Sequence, residues 1–414
     1  MIKVKIIKLF FLVQPLPLLI TLIILKREEN ISITLLKNLT MLNDNLIYRF
    51  YYGWWKNIDK AIFLLIVLLF SLGLFFSLAS TSLIASDRLE TNSYFFFFKH
   101  LAYVFIGVVI LIFFSSLSKK NLFRISIFLF FISLFFLFLV PIIGIEVKGA
   151  KRWIDLIFLP RFQPIELVKP FTIIFLATIL SSERNIHIYY KYCVSFFAIV
   201  PVFFLLMMQP DIGQTLLIFL SWITLVFISG ISLLIFLAFF GITLASLVYM
   251  VFNLAKFEYI RNRIFSFFNP SKGTHNSQAA KSVDGISSGG FFGKGPGEGT
   301  LKYKGSEAHT DFIISVISEE FGVVIIILIL VMFLFFIYSV FKKVYLEKNE
   351  KIKLVLVGSI TLIVAQALIH VGVNIRLFPT TGMTLPFLSY GGSSIVGVSI
   401  LSGIILNLTK RKVN

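Results

Sequence analysis

The chain has 414 residues, of which 58% are hydrophobic and only 14% charged, and its formal net charge is +18. Soluble domains are nearer half apolar and a quarter charged, so this composition excludes an ordinary soluble protein. The positive charge is divided among loops between apolar runs, which suits anionic lipid headgroups or an anionic substrate carried on lipid rather than nucleic acid.

Residues 7–25 are apolar, but Gln14, Pro15 and Pro17 interrupt them. Lys26 and Arg27 follow in place of a small-residue cleavage site, so a cleaved signal peptide is not expected. An extra span here would reverse the orientation that the loop charges support. We read 1–40 as an appendage, with Met41 as an alternative start. The main domain, 41–414, then opens on "YRFYYGWWKNIDK", a cytoplasmic lead-in rich in interfacial aromatics.

Apolar runs near 60–80, 98–117, 122–143, 165–181, 193–209, 212–229, 231–252, 311–341, 354–374 and 386–408 predict an all-α polytopic membrane protein with about ten transmembrane helices. The runs are continuous and lack the alternation of a membrane barrel. Lys119, Lys120 and Arg124, then Lys342, Lys343 and Lys348, and finally Lys410 to Lys412 mark one side as cytoplasmic. Both ends of the core are therefore cytoplasmic, and the long loop 253–310 between helices seven and eight is extracytoplasmic. Cys193, the single cysteine, excludes an intrachain disulfide and reads as a small packing residue at the foot of a span.

Most unusual polar residues fall in the outer connections. "KGAKRWIDLIFLPRFQPIELVKP" crowds Lys148, Lys151, Arg152 and Arg161 into a short loop that should be poor in positive charge, which points to a functional demand for them. Apolar residues from Trp153 to Phe158 alternate irregularly with the charges, predicting a segment that lies in the interface plane. Pro164 suits the first turn of the fourth span, where Glu166 and Lys169 share a face. They read either as a functional intramembrane pair or as a dipole partner beside a snorkelling lysine. In "MMQPDIGQT", Asp211 and Gln214 have capping-box spacing, so Asp211 reads as a cap rather than a catalyst.

The loop 253–310 carries further cations, Arg263 and Lys294 among them, and solvation accounts for many of these because long loops translocate regardless of charge. Gly293, Gly295, Gly297 and Gly299 flank Lys294 and predict a pliant flap over an anionic headgroup. Without a preceding strand and a following helix they make no dinucleotide fingerprint. "SEAHTDFIISVISEEFG" then opens the eighth span, with Asp311, Ser315 and Glu319 expected on one helical face. Asp311, beside His309 and beneath the basic loop, is placed to act as general base toward a substrate hydroxyl. It could equally be a helix cap, as could Thr310. Glu319 and Glu320 lie roughly 12 Å deeper and need partners. A lone His–Asp pair is a poor metal signature, so no metal site is expected from these residues. Gln366, His370 and Asn374 form a polar stripe on span nine, and "RLFPTTGMTLPFLSYGGSS" predicts an outer re-entrant turn before span ten.

Together "GAKRWID…FQPIELVK", "QPDIGQT", "GKGPGEG…SEAHTDFI…EEFG" and "PTTGMTLPFLSYGGSS" resemble, in order and spacing, the FtsW/RodA (SEDS) family of bacterial cell-wall polymerases. The resemblance runs from about Trp54 to the C-terminus, and the GPGEG loop and His-Thr-Asp-Phe form look closer to its cell-division branch than to its elongation branch. It implies a ten-helix fold and a peptidoglycan glycosyltransferase that polymerises lipid II at the outer face of the inner membrane, at the division septum. The implied partners are a class B penicillin-binding transpeptidase of the FtsI type and other division proteins. By motif match, Asp311 corresponds to the family's catalytic aspartate, Glu166 and Lys169 to its buried pair, and Arg152 to a basic residue tied to the lipid pyrophosphate. The chain departs from the family pattern at Ile165, where a serine is usual, and at His370, where asparagine is common.

On this reading Asp311 takes the proton of the acceptor hydroxyl, while Arg152, Lys148 and neighbouring cations stabilise the departing polyprenyl diphosphate. Lys151, His309 and Lys294 join them as substrate contacts, with Glu166, Lys169, Glu319 and Ser315 in support. A divalent cation could share the charge of the leaving group. The rival functions are a lipid II flippase, for which the chain lacks the inverted repeats and midplane site of many transporters, an elongation-type polymerase, and a non-catalytic division scaffold.

Overall fold

The computed structural model describes residues 47–81, 94–147, 150–156, 159–182, 187–268, 274–301 and 310–410. Residues 1–40, Met41, Lys148 and His309 lie outside them. The chain divides into two units, one comprising Met1–Asp59 and Lys410–Asn414 and the other Lys60–Thr409. The described helix of the first unit is α1 (Ile47–Asn57).

The second unit is built from α2 (Lys60–Phe76, extended by a π-helical turn Ser77–Thr81), α3 (Phe95–Ser116), α4 (Lys119–Ile143), α5 (Pro164–Leu180), α6 (Ile188–Met208), α7 (Ile212–Ile228) and α8 (Leu233–Asn253). The shorter α9 (Glu258–Phe268), α10 (Thr274–Gly289) and α11 (Ile313–Phe321) follow, and then α12 (Val323–Leu346), α13 (Glu350–Asn374) and α14 (Gly392–Leu408). Seven of these helices are long and apolar enough to cross a membrane, and α7 and α14 are shorter apolar helices. With α5, they occupy the positions of the ten expected spans. The fold is therefore that of a helical, multi-pass membrane protein.

Local sequence sets the helix ends. The Ser118 hydroxyl accepts from the Asn121 N–H at 3.3 Å, and the Asn349 amide oxygen accepts from the Ile352 N–H at 3.2 Å, so each side chain satisfies one of the donors that a first turn leaves open. Asp211 caps α7 by accepting from the Gln214 N–H at 3.4 Å, as its spacing predicts. Gln214 does not reach back to complete the capping box; its side chain turns to Glu166 instead.

Helix α5 is the centre of the unit and packs against α4, α6, α7, α13 and α14. It is buried along most of its length, including Glu166 and Lys169. At the other extreme, α8 fully buries only Val251: Phe239 and Phe240 pack on the core while Leu233, Leu234 and Ile242 are exposed, as on a helix with one face in lipid. Cys193 is exposed on α6, so the packing role expected for it does not hold.

Two connections differ from expectation. Between α4 and α5, where no strand was expected, lies a small antiparallel sheet of β1 (Ile145–Val147), β2 (Ala150–Leu156) and β3 (Leu159–Phe162). Pairings such as Glu146 with Lys151 and Ile154 with Phe162 let this short loop satisfy its backbone internally. The eighth apolar run is not one helix. It breaks at Gly322, where φ is +82°, into α11 and α12. The 290–295 backbone fills the break: the N–H of Val323 donates to Gly290 O at 3.0 Å, and those of Lys294 and Gly295 donate to Glu319 O at 2.9 Å and Glu320 O at 3.0 Å.

Candidate active site

Counting through the helices from a cytoplasmic start places the connections at 144–163, 209–211, 254–322 and 375–391 on one side, the outer one. Those connections and the adjoining helix ends line a cavity of about 360 Å³. Its wall includes Arg152 and Arg161 from the sheet, Gln163 at the N-cap of α5, Glu166 and Gln214 from the first turns of α5 and α7, and Arg263 from α9. Thr310 and Asp311 approach from the chain before α11, and Thr381, Gly382, Thr384, Tyr390, Ser393 and Ser394 complete it.

The site pairs acids with cations. Strand alternation sends Lys151 and Arg152 to opposite faces of β2, so Arg152 reaches the cavity while Lys151 is exposed and does not line it. The Arg152 guanidinium is oriented by the outer turn before α7: it donates to Pro210 O at 2.5 Å and Gln209 O at 3.4 Å, and lies 3.6 Å from Asp211 Oδ2. Gln163 Nε2 donates to the same Asp211 oxygen at 3.3 Å, so the cap residue also serves the cavity wall. Arg161 pairs with Asp155 at 3.3 Å on the exposed rim. Arg263 donates to Thr380 O at 3.0 Å.

Glu166 and Lys169 form an ion pair at 2.8 Å with their side chains only 4% and 3% exposed. Gln214 Nε2 donates to the other Glu166 oxygen at 3.1 Å, and Lys169 Nζ donates to Gln366 Oε1 at 3.0 Å. Gln366 in turn donates to Thr384 O at 3.0 Å, and the Thr384 and Ser394 hydroxyls are 2.7 Å apart on the cavity wall. The lysine is neither snorkelling nor in solvent. It is the buried hub between the cavity acid and the outer 380–384 turn.

Asp311 precedes α11, whose N-cap is Phe312, so it does not share a helical face with Ser315 and Glu319 as expected, nor does it cap that helix. Its carboxylate faces the Thr380–Met383 turn: a Cβ placed on Gly382 would lie 3.6 Å from Asp311 Oδ2. Gly382 adopts φ +73°, a conformation in which a side chain is strained, so a bare backbone is what packs beside the carboxylate there. Burial, reinforced by Tyr103, pushes the Tyr390 phenol up to about 12, which keeps its hydroxyl protonated on the same wall.

The remaining expected residues lie elsewhere. Glu319 accepts from Lys294 Nζ at 2.8 Å, the Thr300 N–H at 3.0 Å, the Thr300 hydroxyl at 3.1 Å and the Leu301 N–H at 2.8 Å. Glu320 accepts from the Gly297 N–H at 3.1 Å. Burial alone would raise the Glu319 carboxyl, but the donors from Lys294, Thr300 and Leu301 outweigh it and hold the group below its ordinary value. The glycine loop is thus latched to two buried acids instead of forming a free flap, and Lys294 does not line the cavity. Ser315 is buried on Asn374. Of the substrate contacts expected from sequence, Arg152 lines the cavity, Lys151 and Lys294 do not, and Lys148 and His309 lie outside the described residues.

Sequence reasoning missed Arg263, Gln163, Gln214 and Tyr390 as cavity residues. Arg263 is one cation among many in a long basic loop, and only the turn from α8 into α9 selects it. Among the described residues, no three His, Cys, Asp or Glu side chains gather as a metal site.

The FtsW/RodA/SpoVE family, described as "Cell cycle protein", matches residues 59–414. The chain is 30% identical over 361 residues to a protein of Caulobacter vibrioides named "Probable peptidoglycan glycosyltransferase FtsW", covering 87% of this chain and 91% of that one. It is 32% identical over 360 residues to a protein of the same name from Trichlorobacter lovleyi, covering 85% and 93%. Among solved structures, the fold is similar to RodA of Thermus thermophilus, with a TM-score of 0.63, 25% identity and coverage of 85% of this chain and 96% of that one. It is also similar to a chain of a peptidoglycan synthase complex solved for the coordination of polymerization and crosslinking, with a TM-score of 0.69, 24% identity and coverage of 85% and 97%. With the family match spanning nearly the whole helical unit, and a cavity built from the same motifs, the chain belongs to the FtsW/RodA/SpoVE family.

Proposed function

We propose that this chain is a peptidoglycan glycosyltransferase that polymerises lipid II into glycan strands at the outer face of the inner membrane, at the division septum. The observation that carries the reading is the Asp311 carboxylate in an outer-end cavity that also holds Arg152, Arg161 and Arg263. An acceptor sugar hydroxyl is a weak nucleophile, and a carboxylate beside cations in a partly desolvated site can take its proton during attack. The new bond joins that oxygen to the anomeric carbon of the growing strand. The bond from that carbon to the polyprenyl diphosphate breaks, the proton passes to Asp311, and the diphosphate leaves as an anion. Arg152 holds the diphosphate already in the bound substrate, and Arg263 supplies further fixed positive charge where the departing anion develops.

A divalent cation would have to draw most of its ligands from substrate phosphates and water, because no three-residue ligand group gathers among the described residues. The relatives named FtsW support the division branch. A class B transpeptidase of the FtsI type, with other division proteins, is the partner we propose, supported by the similarity to a chain of a synthase complex.

Reconstitution of the purified protein with labelled lipid II, with and without the cognate transpeptidase, tests the reading. Linked disaccharide strands are expected from the wild type and none from Asp311→Ala or Asp311→Asn. Normal glycan chain lengths from either variant would remove Asp311 from the base role, and translocated but unlinked lipid II would make the protein a flippase.

A further inference from the structure

The carboxylate proposed as the base is carried by a peptide outside any helix, so something other than helical hydrogen bonding must hold it in place. Two side chains from distant parts of the chain grip its backbone. The Ser389 hydroxyl donates to Thr310 O at 2.8 Å, and Asn374 Nδ2 donates to Asp311 O at 3.0 Å. These are successive carbonyls, held by the outer turn before α14 and by the last residue of α13.

The Asn374 amide has no rotational choice. Its second N–H donates to His370 O at 2.8 Å, and its oxygen accepts from the Ser315 hydroxyl at 2.7 Å and the Ser315 N–H at 3.3 Å. All four of its hydrogen-bonding positions are filled, which determines which way the amide points. Ser282 of α10 closes the node by packing its hydroxyl against that of Ser315 and donating to Asn374 O at 2.9 Å. Ser282, Ser315 and Asn374 are all fully buried. A satisfied buried network of this kind is rigid, and rigidity is what a base at a fixed distance from its substrate needs.

We infer that Asn374 and Ser389 are positioning residues for Asp311: they clamp the 310–311 peptide so that the carboxylate meets the acceptor hydroxyl, without touching substrate themselves. The inference rests on the proposed glycosyltransferase reading. A misplacement of about 1 Å costs on the order of 100-fold in rate, so removing either clamp should lower turnover while leaving substrate affinity nearly unchanged.

The test measures polymerisation rate against lipid II concentration for Asn374→Ala, Ser389→Ala and Ser315→Ala in purified protein, with thermal unfolding recorded for each. The expected result is a loss of turnover of about 10- to 100-fold with half-saturation shifted by less than about threefold. Ser389→Ala lies in a loop and keeps the test valid if Asn374→Ala does not fold. Folded clamp variants with wild-type turnover, while Asp311→Asn is inactive, overturn the clamp and leave the glycosyltransferase reading standing. An active Asp311→Asn overturns that reading first. A raised half-saturation with unchanged turnover makes Asn374 or Ser389 a substrate contact and also overturns the inference.

Discussion

The Lys169 ammonium lies 2.8 Å from a Glu166 carboxylate oxygen, and neither side chain is more than 4% exposed. One member of the pair lines the cavity and the other joins it through Gln366 to the outer turn at Thr384. Removing one partner of a buried pair leaves an uncompensated charge, which costs about 3–5 kcal/mol, whereas removing both together costs much less. Glu166→Gln and Lys169→Met should therefore each lower thermal stability in detergent, and the double variant should recover part of the loss. Additive losses in the double variant would show that the two charges are not coupled.

Arg152 should act on substrate affinity. Its fork is held by the Gln209 and Pro210 carbonyls and by Asp211, a planar arrangement that lysine cannot reproduce. Arg152→Lys is expected to raise the half-saturating lipid II concentration more than it lowers turnover. Equal falls in turnover and in turnover over half-saturation would instead assign Arg152 to the transition state.

The Glu319 latch carries a pH signature. Its carboxyl is held below the ordinary value of 4.5, so its stabilisation is complete above that value and is lost as pH falls through the lower folded-state value. Glu319→Gln should loosen residues 294–301 at neutral pH, read as faster amide hydrogen exchange there, and should flatten the acid-side loss of stability. Unchanged exchange in the variant would mean that Gly297 and Glu320 hold the loop without it.

Gly322→Ala should be among the most damaging single substitutions. The residue sits at φ +82°, and a Cβ would collide with the Phe291 carbonyl. The backbone strain alone is of order 1–3 kcal/mol, before the collision is relieved. Folded yield and thermal midpoint should both fall, and wild-type values for both would mean that the break between α11 and α12 tolerates a regular helix.

Much of this protein was legible without coordinates because the bilayer constrains the backbone so strongly. Long apolar runs such as 323–346 must be helices, and lysine-rich connections such as 342–353 orient them. Asp211 as a cap and the closeness of Glu166 to Lys169 were legible because both are local, set by spacings of three residues along one helix. The break at Gly322 was not legible, since one glycine inside an apolar run is a weak signal and the hydrogen bonds that favour the break come from about thirty residues upstream.

What the sequence by itself determined is the solvent, the helical class, the sidedness and the family, all of which depend on composition and short motifs. What only the tertiary structure decided is which polar groups meet. Arg263 reaches the cavity, Lys294 is taken up by Glu319, and Asn374 grips the backbone of Asp311. The reason is physical: in a bundle whose spans are nearly all apolar, the few polar side chains must find partners on other helices, and those pairings depend on packing across the fold rather than on spacing along the chain.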